Sequence, residues 1–149
     1  MSDLRDPAHV EAFIAAVNWR TIPDDEWINL DKSWHAIHFL MTGDGVSTTL
    51  PAGTLFAGKV VSDDLGCGPA RLLAPQEVAA FARLLNDKPD NFVERELDFD
   101  ALQNSEIYPN IWDRRDPADL QYISWHFSRL TKFFDDAARS GDHVVLALL

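Results

Sequence analysis

Apolar side chains recur at steps of three and four along much of the chain, and that spacing predicts helix. The longest such run begins at Asp116-Pro117, a capping residue followed by a proline at the first helical position. From there Leu120, Ile123, Phe127, Leu130, Phe134 and Ala137 form one stripe, which Tyr122, Trp125 and Phe133 widen. So broad a stripe places this helix deep against the core, with Gly141 ending it. A second helix opens at Pro75 with Glu77 in its first turn, where the helix dipole favours an acid, and carries Val78, Phe81, Ala82 and Leu85. A third sets Leu30, Trp34, Ile37, His38 and Met41 on one face, with Asp31 as its cap and Gly43 as its stop. A fourth, short helix starts at Asp6-Pro7, carries Val10, Phe13, Ile14 and Val17, and ends near Asn18.

Elsewhere the period gives way to short apolar runs. Lys59–Ser62, Ala70–Leu73 and the β-forming run Val144–Leu149 are expected strands, the last of them buried. Residues 19–29 and 44–58, broken by Pro23, Pro51, Gly45, Gly53 and Gly58, are expected to be irregular. Residues 86–115 hold short helical pieces around Phe92, Val93, Leu97 and Leu102, with a break at Tyr108-Pro109. The pattern predicts one α/β domain over residues 1–149: a small mixed β-sheet layered against helices, with a long C-terminal helix followed by a final strand.

Composition narrows the function classes. With 149 residues, 46% hydrophobic and 25% charged, the chain has the balance of an ordinary globular domain. No apolar run approaches the roughly 18 residues of a membrane span, and MSDLRDPAH lacks the basic and apolar regions of a secretory signal. The single cysteine, Cys67, forms no internal disulfide, so a cytoplasmic protein is expected. The net charge of −11 argues against nucleic acid and anionic membrane, and would steer encounter with a basic partner.

Each chemically suggestive stretch has a plainer explanation. His35 and His38, three residues apart, lack the third ligand a metal needs, so no metal or cofactor is expected. His38 is expected at the edge of the core, bonded to backbone or to a tyrosine, and His35 on the surface near Asp31. GCGPAR at 66–71 allows positive φ at Gly66 and Gly68 but matches no phosphate-binding pattern, and Asp63 and Asp64 disfavour a Cys67 thiolate. Arg114-Arg115 sits between Asp113 and Asp116 and is expected to form local ion pairs. Asp135-Asp136 is expected on a solvated helix face, and no serine lies in a nucleophile elbow.

The same stretches resemble the YfbM-like family, a bacterial family of unknown function. The resemblance is carried by Leu30-Asp31-Lys32 with Trp34, by His38-Phe39-Leu40 and Thr42-Gly43, and by Gly58. It continues through Leu65-Gly66-Cys67-Gly68-Pro69-Ala70-Arg71, Pro75-Gln76-Glu77-Val78, Tyr108-Pro109 and the helix ending at Gly141. It spans roughly residues 30–149 and implies a single α/β domain with a small mixed sheet, but no activity, cofactor or catalytic residue. Residues 1–29 diverge: such proteins usually begin with a short apolar strand, whereas this chain runs from MSDLRD almost directly into helix. The expectation is an open sheet edge covered by a partner or by a second copy in a homodimer.

The leading expectation is therefore a non-enzymatic, acidic protein-binding domain in the cytoplasm, with aromatic anchors for a basic, toxin-like partner whose immunity protein it would be. The alternative is a small-molecule-binding or enzymatic domain with a pocket around His38, Arg71, Tyr108 and Trp112.

Overall fold

The computed structural model describes residues 7–16, 21–23, 26–113 and 115–149. Helix α1 (Pro7–Ala16) is the first described element, and Asp6 and Val17, assigned to its cap and stripe, lie outside the described residues. Of the expected stripe, Ile14 is buried, whereas Phe13 is 39% exposed. A 3-10 turn, Asp31–Ser33, leads into α2 (Trp34–Thr42), which Gly43 ends in the left-handed conformation at φ 72° by donating its N–H to the Phe39 carbonyl. Gly43 thus stops the helix as expected, but Asp31 does not cap it. Asp31 itself sits at φ 47°, and its carboxylate accepts a hydrogen bond from Tyr122, 91 residues away.

After an irregular stretch containing a second 3-10 turn, Thr54–Phe56, strands β1 (Lys59–Asp64) and β2 (Pro69–Leu73) pair antiparallel around the glycine turn. Asp64 Oδ1 accepts the N–H groups of Gly66 and Gly68, both at positive φ. Gly58 is required just before β1: a Cβ there would stand 2.9 Å from the Leu72 carbonyl oxygen. Helix α3 (Pro75–Asn86) follows, with Glu77 reaching back to accept the Ala74 N–H at 2.7 Å. Short helices α4 (Phe92–Glu96) and α5 (Phe99–Asn104) occupy the region expected to be fragmentary. Helix α6 (Pro117–Ser140) is capped by Asp116, which accepts from the Ala118 N–H, and ends at Gly141, as its stripe predicted.

The final strand β3 (Val144–Leu146) pairs antiparallel with β2, giving the sheet order β1-β2-β3. The fold class is the expected one, helices layered on a small sheet with the long helix before the last strand. Both strand pairs are antiparallel, and the strand covers three of the six apolar residues at 144–149, with only Val144 buried. β1 and β3 are the edge strands among the described residues.

Alternation along the strands divides the interior in two. Val61, Ala70 and Leu72 face Ile14 of α1, with Val145 beside them. Leu73 and Val144 face the larger core, built from Ile37, Val78, Phe81, Leu85, Ile123, Leu130 and Phe134. Phe81 of α3 and Phe134 of α6 meet edge-to-face at 4.8 Å between ring centres, which fixes the two helices against each other. Phe127, Leu130 and Phe134 are buried as the stripe predicts, whereas Trp125 is 57% exposed and belongs to the surface.

Candidate functional site

Helix α2, the 105–113 loop and the first half of α6 meet at one aromatic cluster, and His35 holds it together. The His35 ring bonds the Gly45 carbonyl through Nε2 at 2.8 Å and accepts the Tyr108 N–H at Nδ1 at 3.0 Å. This corrects the expectation of a surface histidine near Asp31: His35 is half-buried, and both ring nitrogens are committed to backbone groups of distant loops. The Trp34 ring stacks on His35 at 4.8 Å and on Tyr108 at 5.6 Å, and also contacts Phe56. Tyr108 is thereby fixed, although 48% of it is exposed.

His38 lies behind this stack, wholly buried, its ring centre 4.2 Å from that of Phe56. Neither ring nitrogen has a hydrogen-bond partner, so the expected bond to backbone or tyrosine is not made. Burial, reinforced by His35 and opposed by Asp44, pushes its pKa down to about 4 and holds the ring neutral at pH 7. Trp112 is also buried; its Nε1–H donates to the Tyr108 carbonyl, and its own carbonyl accepts from Gln103 Nε2.

On the α6 side, Tyr122 packs beside Trp112 and against His126. The Tyr122 hydroxyl donates to Asp31 Oδ2 at 2.7 Å and accepts the Lys32 N–H at 3.2 Å. Burial and the bond to Asp31 push its pKa up to about 12. His126, between Tyr122 and Trp125, is buried with Nδ1 unpartnered; burial and then Arg129 lower its pKa against a smaller opposing effect of Asp31. The guanidinium of Arg129 lies 4.6 Å over the Trp125 ring and reaches the Asn29 carbonyl. Every non-glycine residue at positive φ among the described residues, Asp31, Glu106 and Asn110, lies in the segments carrying this cluster. Such conformations persist only where the surroundings impose them.

Of the four residues singled out from the sequence, His38, Tyr108 and Trp112 belong to this cluster. Arg71 makes none of its contacts: on β2, its Nη1 reaches the Gly58 carbonyl at 3.5 Å. None of the four lines either of two open depressions, one of about 300 Å³ between α3 and α6, the other of about 190 Å³ beside Leu50 and Pro51. The sequence reading missed His35 as the organiser, the Asp31–Tyr122 bond and the buried His126. The i,i+4 spacing of Tyr122 and His126 on α6 was the available signal for the last.

The acidic pairs behave as surface features. Asp113 holds Arg115 through two contacts of 3.1 Å, while Arg114 lies outside the described residues. Asp135 pairs with Arg139 at 2.7 Å and Asp136 with Lys132. Among the described residues no group of three or more His, Cys, Asp or Glu is placed to hold a metal ion, and no helix is long and apolar enough to cross a membrane.

The model of a family described as a domain of unknown function, DUF1877, matches residues 4–147. The chain belongs to this family. The match takes in most of the N-terminal segment that the resemblance had set apart, so DUF1877 membership extends to α1 and its contact with the sheet. A solved structure with the same fold is that of YfbM from Escherichia coli, described as a protein of unknown function. It is 23% identical, with a TM-score of 0.63 over 79% of this chain and 77% of that one. No curated protein matches the chain.

Proposed function

We propose that this domain is a non-enzymatic binding module that docks a basic protein on the aromatic face around Tyr108. The observation that carries this reading is the pairing of exposure with rigidity. Tyr108 is 48% and Ile111 64% exposed, yet Tyr108 is fixed through its N–H, its carbonyl and its stacked ring. Rigid aromatic side chains with a wet rim bind with little loss of side-chain freedom. The segment 98–119 that presents them carries six acidic residues against two arginines, which complements a basic surface. The residues with catalytic potential are already engaged in the scaffold: His35 ties two loops to α2, and His38 and Trp112 are sealed inside. A toxin neutralised in the cytoplasm of a bacterium is one partner of this kind.

The test is affinity capture from extract of the cell that makes the protein, comparing wild type with a Tyr108→Ala/Ile111→Ser variant of unchanged circular dichroism. A basic protein retained by wild type at low salt and lost from the variant is the expected result. Equal retention by both would place the binding face elsewhere and overturn the reading.

A further inference from the structure

His35 is held by two bonds whose chemistry leaves it one protonation state. The Gly45 carbonyl can only accept, so Nε2, 2.8 Å from it, carries the ring proton. The Tyr108 backbone N–H can only donate, so Nδ1, 3.0 Å from it, presents its lone pair. The folded ring is therefore the neutral Nε2–H tautomer. It has little room to swing past Gly45, where a Cβ would already stand 3.2 Å from Nε2. A second proton has only Nδ1 to go to, and there it meets the Tyr108 N–H, two donors with no acceptor between them. The Tyr108 carbonyl bonds the Trp112 indole within the same loop, so among the described residues the His35 bond is what ties the Tyr108 backbone to α2. The Trp34 ring lies stacked on His35 at 4.8 Å, a face that accommodates a positive imidazole. The titratable or charged groups on the elements around the ring are Asp31, Lys32 and His38 on its own side, Asp44 next to Gly45, and Glu106, Tyr108 and Asp113 in the loop. His38, buried and pushed down to about 4, stays neutral where histidines ordinarily titrate.

We propose that His35 is a proton-operated latch on the docking face: a second ring proton, at Nδ1, frees the Tyr108 backbone and releases the basic partner. The neutral ring holds Tyr108 in the pose that stacks on Trp34. The charged ring keeps its bond to the Gly45 carbonyl, still as donor, and lets go of the 105–113 loop alone. Rigidity is what makes the exposed Tyr108 ring a good anchor, and a loosened Tyr108 must be ordered again at each binding event. Histidine is the side chain whose charge ordinarily changes between about pH 5 and 8, the window in which such a latch works. This inference rests on the docking face proposed above and supplies its regulation.

NMR of the whole chain from about pH 8 to about pH 5 tests this, reading the His35 imidazole nitrogens and the exchange protection of the Tyr108 amide together. At the upper end the Nε2–H tautomer is expected. As Nδ1 takes its proton, the Tyr108 amide should lose protection by about tenfold or more, the worth of one hydrogen bond, while α3 and α6 keep theirs. His35→Gln is the matched variant, because its amide can donate to Gly45 and accept from Tyr108 but cannot titrate. Its Tyr108 amide should stay protected throughout, and titration of the carboxylates is common to both proteins. If the variant does not fold, the wild-type spectra decide alone. An Nδ1–H tautomer at the upper end, or a ring that stays neutral across the range, would overturn the latch. So would a Tyr108 amide that stays protected beside a charged ring, a loss spread over α3 and α6, or an equal loss in folded His35→Gln. Failure of the latch is separable from failure of the docking face. If Tyr108 is freed on protonation but no basic protein is ever captured, the face falls and the latch stands. If capture needs Tyr108 and Ile111 yet is equal for wild type at both ends of the range, the face stands and the latch falls.

Discussion

His38 is where a polar side chain has been taken furthest from water without compensation. It is 0% exposed, and both ring nitrogens lack a partner. Protonation would bury a charge beside Phe56, so the native state resists it and the pKa falls to about 4. The linkage has a definite sign. Above about pH 6.5, the value expected in the unfolded chain, neither state binds the proton and His38 costs nothing through protonation. As pH falls below that value the unfolded chain protonates first and stability declines, levelling off only below the folded value near 4. The full difference is worth about 3 kcal/mol. His38→Leu, close in volume and free of unpaired nitrogens, should remove this contribution. Urea unfolding of both proteins between pH 4 and 7 measures it. The stability of wild type relative to the variant should fall steadily on acidification below pH 6.5, and a constant difference would mean that His38 is protonated alike in both states.

Among the elements, those that form from local pattern were legible, and those that form from distant contacts were not. Helices α3 and α6 bury the stripes that the spacing of Val78, Phe81 and Leu85, and of Ile123, Phe127 and Leu130, requires. Their proline starts and the Gly141 stop are equally local signals. The 29–33 turn and the 105–113 loop are different. They are held by His35 to Tyr108 across 73 residues and by Tyr122 to Asp31 across 91, which no periodicity encodes. This is also why His35 read as a surface residue and Asp31 as a cap: each residue's partner lies outside any local window. Trp125 failed in the other direction, because a hydrophobic stripe counts a tryptophan as core even where Arg129 covers its ring at the surface. Tyr122→Phe tests the long-range tie directly. The ring still packs on His126, but the bond to Asp31 is lost, at a cost of about 1–2 kcal/mol. Hydrogen exchange should quicken at residues 29–33 and stay unchanged at the α3–α6 contact; uniform quickening would show that the bond supports the whole fold and not this turn.

At the scale of the molecule, the proposed docking of a basic protein makes separate demands on the charge and on the aromatic face: the first would govern how the partner arrives, the second whether it stays. A net charge of −11 with a pI near 4.6 produces a negative field around the whole domain at pH 7. That field reaches a basic protein before any side chains touch, over a Debye length of about 10 Å at 0.1 M salt and about 3 Å at 1 M. In the proposed complex, side-chain contacts at Tyr108 and Ile111 would act only after encounter, so the two contributions separate kinetically. Stopped-flow association with the captured basic partner should slow by about tenfold or more between 0.02 and 0.5 M salt. Tyr108→Ala, which leaves the net charge untouched, should keep that salt dependence and raise the dissociation rate instead. An association rate indifferent to salt would remove steering from the proposal. A Tyr108→Ala variant that associates slowly but dissociates as wild type does would mean that the aromatic face guides the approach and does not hold the complex.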